Sequence, residues 1–511
     1  MNAMKKILCI LLAAGLILGT LGGCGSAGPG PSQAPDGTNP PPAGSGQADE
    51  PVTLKVAFYN YVAQPADLQK VQDALNETLK AKIGCAVELT PISAADYTSR
   101  INLMLQNGDE LDLLLTGTGL NYYIQAAAGQ LLPLNDLLAG GGEGVAQVLG
   151  TYLEATRLAD GEVYAVPVYQ SYSAGTSFVM RKDILDKYGL KAADIKTLDD
   201  LERVFAVVHE NEPGLACVLP EDAGSGVFGL GCDVLYDPLG DSLGVLPAYG
   251  QGSTVTDIFE TEEYASWVYR LRDWYTKGYI LEDIATNKEA TAALMHAGRG
   301  FGHFTGVSVA PDFVASSAYG MEMESVTFGD SFVGSSNVAT ICWAVARQSK
   351  HPEQAMAFLN LLYTDPDVVN TLCYGIEGEH YVKLDDGLIS YPEGLDVANH
   401  PYHFGLNYIW GNTFLEYLPA AYSPDYYEKA ERANREAAVS NALGFAYDNS
   451  GVVNEIAAVY NVVAQYMTVL GTGAVDPEIY LPEFIRQLKE AGIDAIVAEK
   501  QAQLDSWLAS K

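Results

Sequence analysis

From residue 52 onward, apolar stretches of strand length alternate with amphipathic stretches of helix length. Residues 52–58, 85–92 and 111–115 favour β-strands, whereas residues 66–82 and 94–106 carry apolar side chains at helical spacing. Strands that are separated by helices pair in parallel through right-handed crossovers. The alternation therefore predicts an α/β fold with an open parallel sheet, which binds ligands at the carboxyl ends of its strands.

A second α/β unit is predicted to begin near residue 173. Its strand and helix candidates follow in the order 176–180, 215–219, 262–277 and 300–304. Residues 331–375 have a different pattern, with a strand candidate at 341–345 followed by helices. Most of residues 423–511 favours helices, and the apolar side chains of the last two fall roughly on one face. The sequence therefore predicts a second sheet and a helical C-terminal region.

Length and charge limit the classes of partner. The chain has 511 residues, of which 48% are hydrophobic, so it is long enough for two or three packed domains. Its formal net charge is −35 at pH 7. Nucleic acids and anionic membrane surfaces attract proteins through an excess of Lys and Arg. We therefore expect no nucleic acid as a partner, and a ligand that is neutral or cationic.

The first 23 residues have the pattern of a bacterial lipoprotein signal peptide. Two lysines precede the apolar residues 7–18, and Leu21-Gly-Gly-Cys24 resembles a lipobox. This pattern predicts cleavage before Cys24 and lipidation of that cysteine, with an ordinary secretory signal as the alternative. Residues 24–51 are rich in Gly, Pro and Ser, which predicts a disordered linker between the lipid and a soluble body. Such a protein is anchored to a membrane and does not span it.

Five of the seven cysteines lie in the predicted body: Cys85, Cys217, Cys232, Cys342 and Cys373. They form no CxxC pair and most lie in apolar stretches, so we expect small buried thiols. A single disulfide, such as Cys217–Cys232 or Cys342–Cys373, is the alternative in an extracellular compartment.

Three patterns resemble phosphate-binding or catalytic motifs, but other features of the sequence argue against that function in each case. Thr116-Gly-Thr-Gly119 follows an apolar strand, but Tyr122 stands where a third glycine would let a helix approach a pyrophosphate. Residues 224–229 have the GxGxxG spacing, but two acidic residues precede them and no helix follows. Residues 240–243 read GDSL, yet no histidine has the aspartate three residues before it that this esterase chemistry requires.

Metal sites are equally weakly indicated. The pairs His296/His303 and His400/His403 have no HExxH motif or Cys/His set beside them. We therefore expect neither a metal nor a cofactor. A pair of carboxylates for glycoside cleavage cannot be located among the 64 acidic residues.

Aromatic and amide side chains gather at the predicted strand ends and in the later loops. Sugars offer apolar C–H faces to aromatic rings and hydroxyl groups to amides and tyrosines. The candidate ligand-binding residues are Tyr59, Asn60, Thr116, Thr118, Tyr122, Tyr123, Gln170, Tyr172, Trp343, Tyr374, Trp410 and Asn412. For each one alone, packing is the competing interpretation. If they line the site, Tyr122→Ala and Trp410→Ala should weaken ligand binding without unfolding the protein.

Several motifs, taken in order, resemble the extracellular family 1 solute-binding proteins, which are capture subunits of bacterial ABC importers. They are residues 112–119 with 130–136, the strand Asp160-Gly-Glu-Val-Tyr-Ala-Val-Pro167, residues 178–190, and the helix at 355–362. Residues 374–380, 410–412 and 491–507 resemble the C-terminal domain of LipO-type binding lipoproteins. The resemblance extends over nearly the whole chain after the linker.

This resemblance implies a two-lobed periplasmic-binding-protein-like fold of type II, with the ligand in a cleft between the lobes. Lobe one would comprise residues 52–170 and 329–400, and lobe two residues 171–328 and 401–511. The implied function is capture of a carbohydrate, an oligosaccharide above all, by hinge closure and its delivery to the permease subunits. No chemical step is implied, and we expect a monomer at the extracellular face of the cell membrane.

Three alternatives remain open at this point. The protein could bind a peptide or another polar solute instead of a sugar. It could be a surface enzyme that acts on glycans or esters, which would require turnover and a catalytic group. It could also be an adhesin or sensory module that serves no permease.

Overall fold

Two five-stranded sheets organise the computed structural model, which describes residues 51–220, 236–307 and 309–511. In chain order the strands are β1 (Val52–Asn60), β2 (Cys85–Ser93), β3 (Leu113–Thr116), β4 (Val166–Pro167), β5 (Ala174–Arg181), β6 (Ala216–Leu219), β7 (Gly300–Val307), β8 (Met323–Val333), β9 (Cys342–Val345), β10 (Val382–Lys383), β11 (Ile389–Ser390) and β12 (Ala438–Val439). Residues 51–511 form one compact unit.

The first sheet has the order β2-β1-β3-β9-β4. Strand β1 pairs in parallel with β2 and β3, while β9 runs antiparallel to both β3 and β4. The three parallel strands predicted from the alternating pattern are therefore confirmed. All four residues of β3 and the last five of β1 are buried, as expected for strands covered on both faces.

Helices pack against this sheet and contribute to its core. They are Leu68–Ile83, Ala94–Asn107, Tyr122–Ala127, Asn135–Ala139, Glu143–Leu149, Pro352–Thr364 and Pro366–Tyr374. In the first of them Val71, Leu75 and Leu79 are completely buried at a spacing of four residues. The apolar stripe that predicted this helix is thus the surface that packs against the sheet.

The second sheet has the order β12-β8-β5-β7-β6. Strand β5 pairs antiparallel with β7 and β8, whereas β6 with β7 and β12 with β8 are parallel pairs. The helices of this part are Lys182–Tyr188, Leu198–Asn211, Pro247–Gly250, Glu262–Thr276, Thr291–His296, Pro311–Tyr319, Val453–Gly471, Pro477–Ala491 and Ile493–Ser510. The predicted second sheet and helical C-terminal region are both present.

Shorter elements connect these parts. Strands β10 and β11 form an antiparallel hairpin of their own. Two further helices are Ser335–Val338 and Tyr426–Glu436, and the single-turn or short 3₁₀ helices are Thr118–Leu120, Gly150–Thr156, Ala192–Asp194, Ile258–Glu260 and Thr413–Leu415. Within the described ranges, no helix is long and apolar enough to cross a membrane.

Each sheet has its own hydrophobic core, and we call the two parts lobe one and lobe two. The core of lobe one combines residues of the first sheet with Tyr402, Phe404 and Trp410. The sequence-based boundary at residue 400 would have assigned these three side chains to lobe two. Phe404 and Trp410 contact the Phe58 ring of β1 edge-on, at 5.3 and 4.8 Å between ring centroids, and Tyr402 packs against Phe404 at 5.2 Å.

The chain crosses between the lobes three times, at residues 168–173, 334–341 and 416–437. Asn434, which is 1% exposed, joins the first crossing to the third. Its Oδ1 atom accepts hydrogen bonds from Tyr172 N at 2.7 Å and Ser173 N at 3.1 Å, and its Nδ2 atom donates to Gln170 O at 2.7 Å. One side chain therefore satisfies the backbone of an otherwise irregular connection.

The cysteines of the described residues are buried and unpaired: Cys85, Cys217, Cys342 and Cys373. This confirms the expectation of buried thiols for these four and shows that no Cys342–Cys373 disulfide forms. Cys232, the other member of the alternative pair, lies outside the described residues, as does the GxGxxG pattern at 224–229.

Candidate functional site

One edge of the first sheet faces lobe two. Strands β1, β3 and β4 end at this edge with Asn60, Thr116 and Pro167, and the antiparallel strand β9 begins there. The crossings at 168–173 and 334–341 leave from the same edge. The carboxyl ends of the parallel strands and the connections between the lobes therefore bound a common region, which is where an open α/β sheet binds ligands.

A cavity of about 280 Å³ lies beside the first and third crossings, and we call it the tyrosine cavity. Its aromatic walls are Tyr374, Tyr408, Phe414, Tyr422, Tyr426 and Tyr427. Polar groups are interspersed with these rings: Gln170, Ser171, Asn407, Thr413 and Glu416. The cavity thus offers flat apolar faces and hydrogen-bonding groups together.

The third crossing arranges part of this aromatic wall. The ring centroids of Tyr422 and Tyr426 are 5.0 Å apart, and those of Tyr426 and Tyr427 are 5.6 Å apart. From lobe two, Phe313 packs against Tyr422 at 4.4 Å between ring centroids. A change in the orientation of the lobes would therefore move a ring that touches the cavity wall.

Glu416 is the acidic group of the tyrosine cavity, and it is 8% exposed. Burial raises its pKa from 4.5 to about 8, against the opposing effect of hydrogen bonds from Tyr427 and Cys373. The Tyr427 hydroxyl donates to Glu416 Oε2 at 3.4 Å, and Oε1 has no hydrogen-bond partner among the described residues. At neutral pH this carboxyl group is mostly protonated, so it can both donate and accept a hydrogen bond.

The raised pKa of Glu416 predicts a pH-dependent gain in stability for Glu416→Gln. A carboxyl group whose folded-state pKa exceeds its unfolded value contributes fully below about pH 4.5, and this contribution is lost as the pH rises to about 8. Glutamine cannot ionise, so the melting temperature of the variant relative to wild type should increase between pH 5 and pH 8.5. Glu436→Gln, at an exposed position on the helix Tyr426–Glu436, is the control. A difference that stays constant with pH would contradict the prediction.

A second cavity, of about 210 Å³, lies between the two lobes, and we call it the interlobe cavity. Thr118 and Tyr123 line it from lobe one, Asp237 and Asp241 from lobe two, and Ser335 from the second crossing. Thr118 is exposed and Tyr123 is partly exposed. The loop that follows β3 therefore contributes to a cavity between the lobes.

Four of the twelve sequence-predicted binding residues line a cavity. Thr118 and Tyr123 line the interlobe cavity, whereas Gln170 and Tyr374 line the tyrosine cavity. The Tyr374 hydroxyl donates to Tyr417 O at 2.8 Å, which fixes the ring in the cavity wall. The structure does not bring these four residues into one pocket.

The other eight predicted residues are buried in lobe one and line neither cavity: Tyr59, Asn60, Thr116, Tyr122, Tyr172, Trp343, Trp410 and Asn412. Their local contacts explain the burial. Tyr122 donates its hydroxyl to Thr156 O, and Tyr172 donates to Val168 O at 2.7 Å. The rings of Trp343 and Trp410 stack at 5.6 Å within the core. These contacts correct the sequence-based picture, because side chains without an accessible face cannot stack on a sugar.

Sequence reasoning missed Tyr408, Phe414, Glu416, Tyr422, Tyr426 and Tyr427. One signal was present, since six of the 31 tyrosines lie within residues 402–427. Part of that set is nevertheless structural: Tyr402 is 1% exposed and donates its hydroxyl to Leu372 O at 2.9 Å. The local density of tyrosines therefore indicates the region of the tyrosine cavity, but it does not distinguish tyrosines that line the cavity from tyrosines of the core.

The remaining motif candidates have structural roles. His296 Nε2 lies 2.6 Å from Tyr319 O, and His400 Nε2 lies 2.7 Å from His380 O. Asp241 of the GDSL stretch pairs with Lys500. Across the part of the chain that the structure describes, no group of three or more His, Cys, Asp or Glu side chains is placed to hold a metal ion.

Comparison with protein families gives two matches. Residues 73–375 match the family described as "Bacterial extracellular solute-binding protein". Residues 441–509 match a "Domain of unknown function (DUF3502)". The first match runs from within the helix Leu68–Ile83 to the end of the helix Pro366–Tyr374, and the second covers the C-terminal helices.

Individual proteins are similar along nearly the whole chain. A "Carbohydrate ABC transporter substrate-binding protein" of Streptococcus pneumoniae serotype 4 is 26% identical over 477 residues, which cover 91% of this chain and 92% of the relative. The crystal structure of the N-glycan transport solute binding protein NgtS from Streptococcus pneumoniae superposes with a TM-score of 0.76 at 23% identity, covering 90% of this chain and 99% of that one. Its complex with Man1GlcNAc gives a TM-score of 0.66 at 22% identity, covering 89% and 99%. These likenesses confirm the predicted two-lobed fold.

Proposed function

The chain belongs to the bacterial extracellular solute-binding proteins, and from this premise we propose that it captures a carbohydrate, specifically an oligosaccharide, for an ABC importer. In this proposal the two lobes close around the ligand outside the cell, and the closed form delivers it to the transmembrane permease subunits. The protein itself breaks no bond in the ligand.

The tyrosine cavity is the observation that carries the proposal. Six aromatic side chains and several amide, hydroxyl and carboxyl groups line one space of about 280 Å³. A sugar ring presents C–H faces to aromatic rings and hydroxyl groups around its rim, so it matches such a lining on both counts. A purely apolar ligand would leave the polar groups of the cavity without partners.

The relatives support the same class of ligand. A relative that is similar over 91% of this chain is named for carbohydrate transport, and NgtS has been crystallised with Man1GlcNAc. A peptide or another polar solute is the alternative ligand, and an enzyme of glycans or esters is the alternative function. Neither has a specific observation in its favour.

The three crossings support capture by closure. Each lobe has a separate core, and the segments at 168–173, 334–341 and 416–437 connect them. A ligand that touches both lobes stabilises the closed arrangement by its extra contacts there and so shifts an existing open–closed equilibrium.

The location of the protein is part of the proposal. Cleavage before Cys24 and lipidation of this cysteine would anchor a monomeric body to the outer face of the cell membrane through residues 24–51. Residues 1–50 lie outside the described part of the chain, so the sequence pattern alone supports this anchor.

Thermal unfolding in the presence of candidate ligands tests the function. Residues 51–511, which form a compact unit, would be mixed with neutral oligosaccharides, acidic oligosaccharides and peptides. Saturable stabilisation by a carbohydrate is the expected result, because a ligand that binds only the folded state raises its stability. Stabilisation by peptides alone, or hydrolysis of a chromogenic glycoside or ester, would refute the proposal.

Tyr422→Ala and Tyr426→Ala should each weaken binding of the stabilising oligosaccharide by roughly tenfold, since a lost stacking surface removes on the order of 1.4 kcal/mol. Both side chains are partly exposed in the cavity wall, so the variants should stay folded. Isothermal titration calorimetry measures the affinity.

Tyr269→Ala is the matched control for these two variants. Tyr269 is 42% exposed on the helix Glu262–Thr276 and lines neither cavity. Its removal should leave the affinity unchanged. If all three variants bound as tightly as wild type, the tyrosine cavity would not be the sugar site.

A further inference from the structure

After the third crossing has entered lobe two, the chain touches lobe one again at residues 440–445. Strand β12 pairs with β8 of the second sheet, and the backbone of Ser440 continues this pairing. Leu443 is 5% exposed and belongs to the core of lobe one. Phe445 packs instead against the last helix of lobe two, Ile493–Ser510. The segment therefore joins the lobes through non-covalent contacts, in addition to the three crossings.

The contact of this segment with lobe one leaves no room for a side chain. Gly444 has a φ of +92°, and a Cβ atom there would lie 2.5 Å from the Glu154 carbonyl oxygen and 3.2 Å from its carbon. Glu154 belongs to the 3₁₀ helix Gly150–Thr156 of lobe one. The backbones of the two lobes thus meet directly at this point, which is an approach that glycine permits.

The second crossing is fastened to the same segment. Ser335 begins the helix of this crossing and is 9% exposed. Its Oγ atom accepts a hydrogen bond from Gly444 N at 2.8 Å and donates to Ala442 O at 3.3 Å. One hydroxyl group therefore uses both its donor and an acceptor position to hold the backbone of the segment against the crossing.

The last helix holds the segment from the side of lobe two. Lys511, directly after this helix, donates from Nζ to Leu443 O at 3.1 Å. On the helix itself, Gln503 donates to Asp448 O at 2.8 Å and accepts from Asp448 N at 3.0 Å. Nearly all of these residues lie within 441–509, which matches a domain of unknown function. This region thus contains both the contact with lobe one and its support.

We propose that residues 440–445, held by the last helix, form a brace that sets the angle between the lobes in the ligand-free protein. A rotation of the lobes has to open or compress the contact between Gly444 and Glu154, and closely packed atoms resist both. The brace narrows the range of angles that the protein samples. This inference concerns the protein without ligand, so it does not depend on the proposed function.

Distances between the lobes test the brace directly. Double electron–electron resonance measures the distance between spin labels attached to Leu103→Cys on lobe one and Tyr269→Cys on lobe two, positions that are 58% and 42% exposed. The protein comprises residues 51–511, contains no added ligand and carries Cys232→Ser, because the four described cysteines are buried. The distance distribution reports the angle between the lobes.

Gly444→Ala introduces the Cβ atom that the contact excludes. The mean distance should shift by roughly 1 Å or more, because the overlapping atoms have to separate to an ordinary contact distance. Gly378→Ala is the matched control, since Gly378 has a φ of +83° and an added Cβ there meets no atom within 4 Å. The control carries similar backbone strain without the overlap and should leave the distance unchanged. Equal shifts in the two variants, or no shift in either, would overturn the inference.

Ser335→Ala is a milder variant, which decides the question if Gly444→Ala does not fold. It removes both hydrogen bonds between the second crossing and the brace, and we expect a broader distance distribution. Ser316→Ala is its control, because Ser316 Oγ accepts a hydrogen bond from Met323 N at 3.0 Å within lobe two. A folded Ser335→Ala protein with the wild-type distribution would refute the brace. If the distances change as expected but no carbohydrate stabilises the protein, the proposed function fails and the brace stands.

Discussion

Replacing Gly117 by alanine should remove roughly 3 kcal/mol or more of the free energy of unfolding. Gly117 adopts a φ of +152°, and a Cβ atom there would lie 2.1 Å from the Thr340 carbonyl oxygen and 2.7 Å from its carbon. Both neighbours are backbone atoms, so no side-chain rotation relieves the overlap. The hydrogen bond from Thr118 N to Ala339 O, 2.9 Å long, holds the two segments at this distance. Urea unfolding of residues 51–511 measures the loss.

Gly119→Ala provides the matched control two residues further on. An added Cβ at Gly119 meets no atom within 4 Å, and its φ is not positive. We expect a change of less than about 0.5 kcal/mol in this variant. Equal stability of the two variants would contradict the packing account of the Thr116-Gly-Thr-Gly119 sequence. The glycine of this sequence thus has a packing role instead of a phosphate-binding one, because Gly117 lets the loop after β3 lie against the second crossing.

Trp410→Ala should cost about 3–5 kcal/mol of stability, which is the range for removing a large aromatic side chain from a core. Trp410 is completely buried, stacks on Trp343 at 5.6 Å and contacts the Phe58 ring edge-on at 4.8 Å. This expectation reverses the one drawn from the sequence, which assigned Trp410 to the ligand. Guanidinium unfolding of the variant and wild type gives the difference.

Trp507→Ala is the comparison for this loss. Trp507 is partly exposed near the end of the last helix and packs against Phe445 at 5.9 Å, so its removal should cost less. The folded fraction of Trp410→Ala should bind the oligosaccharide with wild-type affinity. Normal stability together with a tenfold loss of affinity would instead restore Trp410 to the binding site.

The alternating pattern predicted the parallel strands of lobe one because burial on both faces imposes continuous apolar runs on them. The position of a loop at a strand end also follows from this pattern, and Thr118 of the loop after β3 lines the interlobe cavity. The pattern cannot distinguish an aromatic residue in a wall from one in the core. Tyr122 and Tyr123 are sequence neighbours, yet the first is completely buried and the second lines the interlobe cavity.

The rest of the candidate site depends on contacts between distant parts of the chain. Asp241 and Lys500 are 259 positions apart in the chain, so no local sequence pattern predicts their pairing. Glu416 looks like a surface acid in the sequence, and its raised pKa arises from the burial that the folded third crossing provides. Such sites become visible only after tertiary packing has brought their members together.

The clamp made by Asn434 has a mechanical consequence. Its hydrogen bonds to Gln170, Tyr172 and Ser173 join the first and third crossings, so these two segments move together. Within the described ranges, the segment at 334–341 is the remaining connection between the lobes. Two connections define one axis, so the lobes can rotate relative to each other mainly about this axis. A ligand that binds between the lobes therefore restricts a single rotation of the lobes, and this keeps the entropy cost of closure small.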